Sequence, residues 1–197
     1  MVPVAPSLID KFSSGEEVRI AGLGDSLTYG WMVERGFFDR FVDALERRFP
    51  EAKISRQNHG IPGDTSEGGL ARLDEVLAWR PQAVIVEFGL NDCFLSVPPG
   101  EVGRLQSLLA RRIQEAGGTP VLCTSCPLLD AGEMKIVDPY YQAIREAAQA
   151  AKAALADLDR VWRETVPITA EYFLEDGIHP SDRGHEIMSR GLLSLFI

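Results

Sequence analysis

Val18-Arg19-Ile20-Ala21-Gly22-Leu23-Gly24-Asp25-Ser26-Leu27 is a largely apolar run that ends in a glycine, a carboxylate and a hydroxyl. Residues 18–23 suit a buried strand, and Gly, Asp and Ser are the residue types that turn a chain sharply at a strand end. Ser26 is thus presented directly behind the first strand, in the way a nucleophile is presented. Three later stretches carry polar residues of a kind that could complete an acyl-transfer site: residues 58–65, Gly89-Leu90-Asn91-Asp92 and Asp176-Gly177-Ile178-His179-Pro180.

Beyond the first turn, Phe37, Phe38, Phe41, Val42, Leu45 and Phe49 recur at helical spacing, and Pro50 closes the segment. Residues 53–57 are short and polar around Ile54, which suits a strand at or near a sheet edge. Asp64, with Glu67 three residues on, predicts a helix cap before the apolar face Leu70, Leu73, Val76 and Leu77, which Pro81 stops. Residues 83–88 read as one apolar run and predict a central, doubly covered strand. After Pro98, Pro99 and Gly100, the spacing of Val102, Leu105, Leu108, Leu109 and Ile113 predicts a helix ended by Gly117 and Gly118. A fourth strand follows over 120–126. A loop over 127–137 then leads to Asp138 and Pro139, a cap with proline at the first helical position, and an alanine-rich helix from Tyr140. The alanines give no periodicity, so a short fifth strand is placed at 154–158. Residues 181–196, with Ile187, Met188, Leu192 and Leu193, close the chain as a helix.

Strands alternating with helices imply a parallel sheet covered on both faces: an α/β, doubly wound single domain over 1–197, with 1–16 as an N-terminal extension. Ligands of such sheets bind at the carboxyl ends of the strands. Ser26 follows strand one, Gly60 and Gly63 follow strand two, Asn91 follows strand three, and Asp176 and His179 precede the last helix. All four stretches converge on one edge.

The chain has 197 residues, 45% of them hydrophobic, enough to bury a real core. A net charge of -9, with no basic run longer than Arg47-Arg48 or Arg111-Arg112, argues against binding nucleic acid or an anionic membrane. Residues 1–14 hold no basic segment followed by an apolar stretch, so no signal peptide or stable membrane insertion is expected, and the protein is read as cytoplasmic. Three cysteines do not suggest a disulfide framework. Cys123 and Cys126 form a C-x-x-C inside the fourth strand, where i and i+3 point to opposite faces, so packing is favoured over redox chemistry. No cluster of His, Cys or carboxylates has metal-ligand spacing, and no metal is expected.

A serine hydroxyl needs a base within hydrogen-bond reach, usually histidine. Of three histidines, His185 lies within the closing helix and suits packing or a surface. His59 precedes glycines in a loop and has no carboxylate beside it. His179 has Asp176 three positions back in a loop that Pro180 keeps from becoming helical, so Asp176 can hold Nδ1 and leave Nε2 facing Ser26. The oxyanion of acyl transfer needs donors already in place. The backbone N–H of Gly63, near a helix N-terminus, the side-chain amide of Asn91 and the backbone N–H of Ser26 fit, although a bare turn glycine and an Asx-turn would account for Gly63 and Asn91 equally well.

These four stretches resemble the four sequence blocks of the SGNH, or GDSL-type, hydrolase superfamily. Gly24-Asp25-Ser26-Leu27-Thr28 with Gly30 is similar to the nucleophile block, and Asn58, Gly60, Gly63, Asp64 and Thr65 to the oxyanion-glycine block. Gly89-x-Asn91-Asp92 is similar to the block whose Asn donates to the oxyanion, and Asp176-x-x-His179-Pro180 to the block of acid and base. The resemblance spans nearly the whole chain. It is closest to the compact bacterial thioesterase, lysophospholipase and arylesterase branch, and implies a flavodoxin-like three-layer α/β/α fold with a five-stranded sheet and no cofactor. It also implies supporting roles for Asp25 and Asp92. His59 and Cys93 stand where relatives often have small residues, and both could narrow the pocket.

The expected function is a serine esterase or thioesterase that hydrolyses small or medium acyl esters through an acyl-enzyme on Ser26. The alternative is a carbohydrate O-acetylesterase, although no obvious array of aromatics is seen to stack sugars. A binding module on the same fold is disfavoured because every catalytic residue type is present. A nucleotide site is set aside because Gly22-x-Gly24 lacks its third glycine, Leu27 standing there. The expected partner is a small-molecule acyl ester or thioester. Chain length, leaving group and oligomeric state stay open.

Overall fold

The computed structural model describes residues 3–4 and 6–196; Met1, Val2, Ala5 and Ile197, which the expected 1–197 domain includes, lie outside the described residues. Five strands, β1 (Glu17–Gly24), β2 (Lys53–Gly60), β3 (Ala83–Glu87), β4 (Thr119–Cys123) and β5 (Ala154–Ala156), pair in the order β2-β1-β3-β4-β5. Every pairing is parallel. The chain winds outward from β1 to β2, then reverses to β3 on the other side, so the switch point lies between β1 and β3. The expected doubly wound α/β fold is borne out.

Helices cover both faces because each carries one apolar stripe. The first is α1 (Pro6–Lys11), followed by α2 (Ser26–Tyr29) and α3 (Phe37–Arg48), whose Phe37, Phe38, Phe41, Val42 and Leu45 are buried. Next come α4 (Ser66–Ala71), α5 (Leu73–Ala78), α6 (Leu90–Phe94), α7 (Pro99–Glu115) and α8 (Ala131–Ala151). The chain ends with α9 (Leu158–Thr165), a 3-10 turn at Ala170–Tyr172 and α10 (Asp182–Leu193). Helix α10 packs between α3 and α9, while α7 packs against α4 and α8. In the expected N-terminal extension, Val4, Leu8 and Phe12 are buried, and the Phe12 ring stacks on Phe49 at 4.9 Å between centroids.

Several boundaries differ from expectation, each for a physical reason. Strand β2 continues to Gly60 because His59 and Gly60 pair with Leu23 and Gly24, so His59 is in the edge strand and not in a loop. The cap of α4 is Thr65, whose side chain accepts from Gly68 N at 3.3 Å; the Asp64 carboxylate is drawn instead to Arg72, 2.8 Å from its Nε. That helix breaks at Arg72, giving α4 and α5 where one helix was expected. Strand β4 stops at Cys123, so Cys126 lies beyond it; both thiols are free and buried, and burial holds them protonated. Helix α8 starts at Ala131, eight residues before the expected first helical residue, Pro139. Asp130 caps it, its Oδ1 accepting from Gly132 N at 2.7 Å and Glu133 N at 2.8 Å, and Pro139 sits inside the helix. The buried stripe Met134, Val137, Tyr141 and Ile144 outweighs the proline, which removes one helical hydrogen bond. The last strand covers only 154–156, and Asp157 caps α9, an element that no periodicity revealed.

His185 on α10 is buried, as a packing role requires, and its Nδ1 accepts from Phe37 N at 3.0 Å, which puts the ring proton on Nε2. Burial, with Arg40 and His179 nearby, lowers its pKa from 6.5 to about 3. The unfolded chain takes up this proton near the ordinary histidine value and the folded chain does not, so its contribution to stability is full above pH 6.5 and declines toward pH 3. Urea denaturation at stepped pH should show the wild type losing roughly 1 kcal/mol per pH unit more than His185→Gln across that window. Equal slopes would remove His185 from this role.

Candidate active site

Ser26 opens α2 immediately after β1, in a turn that Asp25 stabilises: the Asp25 Oδ1 accepts from Leu27 N at 2.9 Å, and Gly30 closes the turn in a left-handed conformation. The Ser26 Oγ lies 2.9 Å from His179 Nε2, although 153 residues separate them. His179 Nδ1 lies 2.7 Å from Asp176 Oδ2. The other carboxylate oxygen of Asp176 accepts from the backbone N–H of Ile178 and of His179, each at 2.9 Å, so the loop orients the carboxylate before it meets the ring. Burial pushes the Asp176 carboxyl up, but the hydrogen bonds from Ile178 N and from His179 outweigh it and hold it below the ordinary carboxylate range. Trp31 leans against the imidazole, 6.5 Å between ring centroids.

The three expected donors gather at the same edge, and two of them are unused. Among the described residues, no acceptor within the protein takes the backbone N–H of Ser26 or of Gly63. Gly63 has φ +81°, a conformation that favours glycine, and an added Cβ would meet nothing within 4 Å, so backbone conformation and not crowding selects glycine here. The Asn91 amide is engaged: Nδ2 lies 2.9 Å from the Asp64 carbonyl and 3.2 Å from Asp25 Oδ2. Asp92, one residue on, is buried and accepts from Ser66 N and Ser66 Oγ at 3.2 Å, tying α6 to the start of α4. Burial raises its carboxyl against the hydrogen bonds from Ser66.

His59 is not brought to Ser26; its Nε2 lies 3.0 Å from Gln57 Oε1 on the edge strand. Cys93 is buried on α6, its thiol directed at the Ile136 carbonyl 3.8 Å away. The sequence reading passed over Glu87. It ends β3, is completely buried, and accepts from Thr28 Oγ1 at 3.0 Å and from Ser125 Oγ. A lone carboxylate closing an otherwise apolar central strand was the available signal. Arg72 was missed as well: its guanidinium bridges Asp64 and, at 3.1 Å, the Gly24 carbonyl. Among the described residues no group of three or more His, Cys, Asp or Glu could hold a metal ion. No helix there is long and apolar enough to cross a membrane.

A serine, a histidine and an aspartate linked in series at the switch point of a doubly wound sheet fit the class of carboxylic ester hydrolases. The GDSL-like Lipase/Acylhydrolase family matches residues 23–187, and the chain belongs to it. An arylesterase of Vibrio mimicus is 28% identical over 165 residues, covering 82% of this chain and 80% of that protein. The thioesterase 1/protease 1/lysophospholipase L1 of Escherichia coli (strain K12) is also 28% identical, over 81% of this chain and 74% of its own. The crystal structure of Axe2, an acetylxylan esterase from Geobacillus stearothermophilus, shares the fold with a TM-score of 0.78 at 21% identity, covering 91% of this chain and 94% of that one.

Replacing Asp92 with Ala strands the buried N–H and hydroxyl of Ser66. Chemical denaturation should register a loss of about 1–3 kcal/mol. A loss below about 0.5 kcal/mol would show that Ser66 finds another acceptor.

Proposed function

We propose that this esterase works through an acyl-enzyme on Ser26 and acts on small or medium acyl esters or thioesters. The single observation that carries this reading is the hydrogen-bonded series from Ser26 Oγ through His179 to Asp176. His179 Nε2 takes the hydroxyl proton as Oγ attacks the acyl carbonyl. Asp176 holds the tautomer and stabilises the imidazolium that forms. The oxyanion is received by the unused N–H groups of Ser26 and Gly63 and by the Asn91 amide. His179 then protonates the departing alcohol or thiol, and water repeats the sequence in reverse to free the acid.

An acyl preference is supported by where apolar surface is left open. The large hydrophobic side chains exposed among the described residues are Tyr29, Trp31 and Met32 after β1, Ile61 after β2, Phe94 and Leu95 after β3, and Leu129 and Ile136 after β4. All eight fall in the segments that follow β1 to β4, and Trp31 among them reaches His179. A second reading, O-acetylated carbohydrate, is favoured by Trp31, whose exposed ring beside His179 offers a sugar a stacking face. The free thiols of Cys93, Cys123 and Cys126 suit a reducing compartment, and we place the enzyme in the cytoplasm.

Hydrolysis of p-nitrophenyl esters from acetate to dodecanoate, alongside an acetylated xylo-oligosaccharide, separates the two. Turnover rising with chain length supports the acyl reading, and sharp preference for acetyl supports the carbohydrate one. Ser26→Ala should abolish turnover of either substrate; full activity in that variant would overturn the mechanism. Asn91→Ala should lower kcat by about 10² to 10³, and an effect below about tenfold would take Asn91 out of the oxyanion site.

A further inference from the structure

We propose that Asp25 and Glu87, buried together beneath Ser26, share one proton, and that this proton frees the Asn91 amide to serve the oxyanion. The inference rests on the acyl-enzyme reading above and assigns a positioning role, since neither carboxyl touches the reacting atoms.

The geometry is on three elements. Gly24 pairs with Glu87 at the last rung of β1 and β3, and Asp25 is the next residue, just past that rung. Both side chains are completely buried and lie within range of each other, so that a hydrogen bond joins them once either carboxyl is protonated. Among the described residues neither forms an ion pair, and the guanidinium of Arg72, which reaches the end of β1, is committed to Asp64 and the Gly24 carbonyl. Two adjacent carboxylates without a cation cannot both stay ionised in a dry interior. The hydroxyls of Thr28 and Ser125 both donate to Glu87, which favours the charge there. Asp25 then keeps the proton and donates it to Glu87. Burial, with the adjacent Glu87, raises the Asp25 carboxyl well above the ordinary range.

The other titratable groups around the pair leave this assignment intact. Asp92 on α6 adds negative potential at Asp25, and His179 in the closing loop favours the charge on Glu87. Cys123 on β4, Cys126 beyond it and Tyr141 on α8 are all held protonated by burial.

The protonation of Asp25 matters because its Oδ2 is one of two acceptors on the Asn91 amide, at 3.2 Å. A protonated carboxyl is a weak acceptor and yields that N–H to a developing oxyanion. An ionised Asp25 would compete for it with a full charge. Loss of the shared proton to solvent base should therefore lower kcat without changing KM.

The test measures kcat and KM on one p-nitrophenyl ester from about pH 6 to about pH 10, for the wild type, Asp25→Asn and Glu87→Gln. Infrared spectra of the same three proteins, without substrate, read the carbonyl stretch of a protonated carboxylic acid. The wild type should show that band at neutral pH, and Asp25→Asn should lose it, because the amide stands in for the protonated acid. Glu87→Gln removes the neighbouring charge, so its kcat should fall on the alkaline side at least about one pH unit earlier than in the wild type. Asp25→Asn should show no such fall and should turn over faster than Glu87→Gln at alkaline pH. Absence of the band in the wild type overturns the shared proton whether or not the variants fold or the enzyme turns over the ester. A band unchanged in Asp25→Asn, or superimposable alkaline profiles in all three proteins, overturns it too. Retained turnover in Ser26→Ala would instead overturn the acyl-enzyme reading while leaving the band to be judged separately.

Discussion

The site depends on one close approach: the first turn of α2 sits directly on the ends of the central strands. A Cβ on Gly24 would come within 2.1 Å of Thr28 Oγ1 and 2.6 Å of the Glu87 carbonyl, so only a hydrogen fits there. The turn is then tied on both sides. Asn58 Nδ2 donates to the Thr28 carbonyl at 2.8 Å from β2, and Thr28 Oγ1 donates to Glu87 at 3.0 Å on β3. Ile61 N reaches the Gly24 carbonyl at 3.0 Å, which brings the 61–65 loop, and with it Gly63, up to the serine. Strand pairing thus becomes placement of a hydroxyl, and a shift of β3 relative to β1 would displace Ser26, Asn91 and the buried Asp25–Glu87 pair relative to one another.

The sheet was legible because strands buried on both faces are written as apolar runs, and those runs alternate with 3.6-residue stripes in α3, α7 and α10. Where reading failed, two local signals competed and a distant partner decided between them. Asp64 and Thr65 can both cap a helix, but the Asp64 carboxylate is taken by Arg72, eight residues on. Asp130 and Asp138 can both start α8, and the buried stripe beginning at Met134 selects the first. Helices α1, α2 and α6 are four to six residues long, too short for periodicity to register. In the site, Asp176 and His179 were readable because their link is local, three residues apart with the carboxylate fixed by its own loop. Glu87 was not, since its partners Thr28 and Ser125 lie 59 and 38 residues away and make sense only once the strands are paired.

Polar groups buried this deeply under a nucleophile are costly unless each finds a partner. The three carboxyls here do: Asp25 caps α2, Glu87 receives two hydroxyls, and Asp92 receives Ser66, whose hydroxyl also accepts from Gln106 Nε2 at 3.1 Å, while the Gln106 Oε1 is left without a partner among the described residues. An apolar substitution in this layer would strand its neighbours, so the polar layer persists as a unit or not at all. Such bonds hold the turn around Ser26 in place, which suits the proposed oxyanion site, because donors fixed in advance cost no reorganisation when charge develops.

The three proposed oxyanion donors differ in kind, and on that proposal the difference bears on catalysis. The backbone N–H groups of Ser26 and Gly63 have no acceptor among the described residues, so in the proposed mechanism they give up no bond within the protein to meet the substrate oxygen. The Asn91 amide already has acceptors at 2.9 and 3.2 Å. In the proposed mechanism it would exchange the longer of these for the oxyanion once the oxygen carries enough charge to outbid a carboxyl group. An interaction strengthened chiefly in the transition state raises kcat, whereas one made equally in both states lowers KM alone. The engaged donor is therefore the one whose energy goes most fully into the chemical step, and the acceptor that holds it in reserve sets how much charge it waits for.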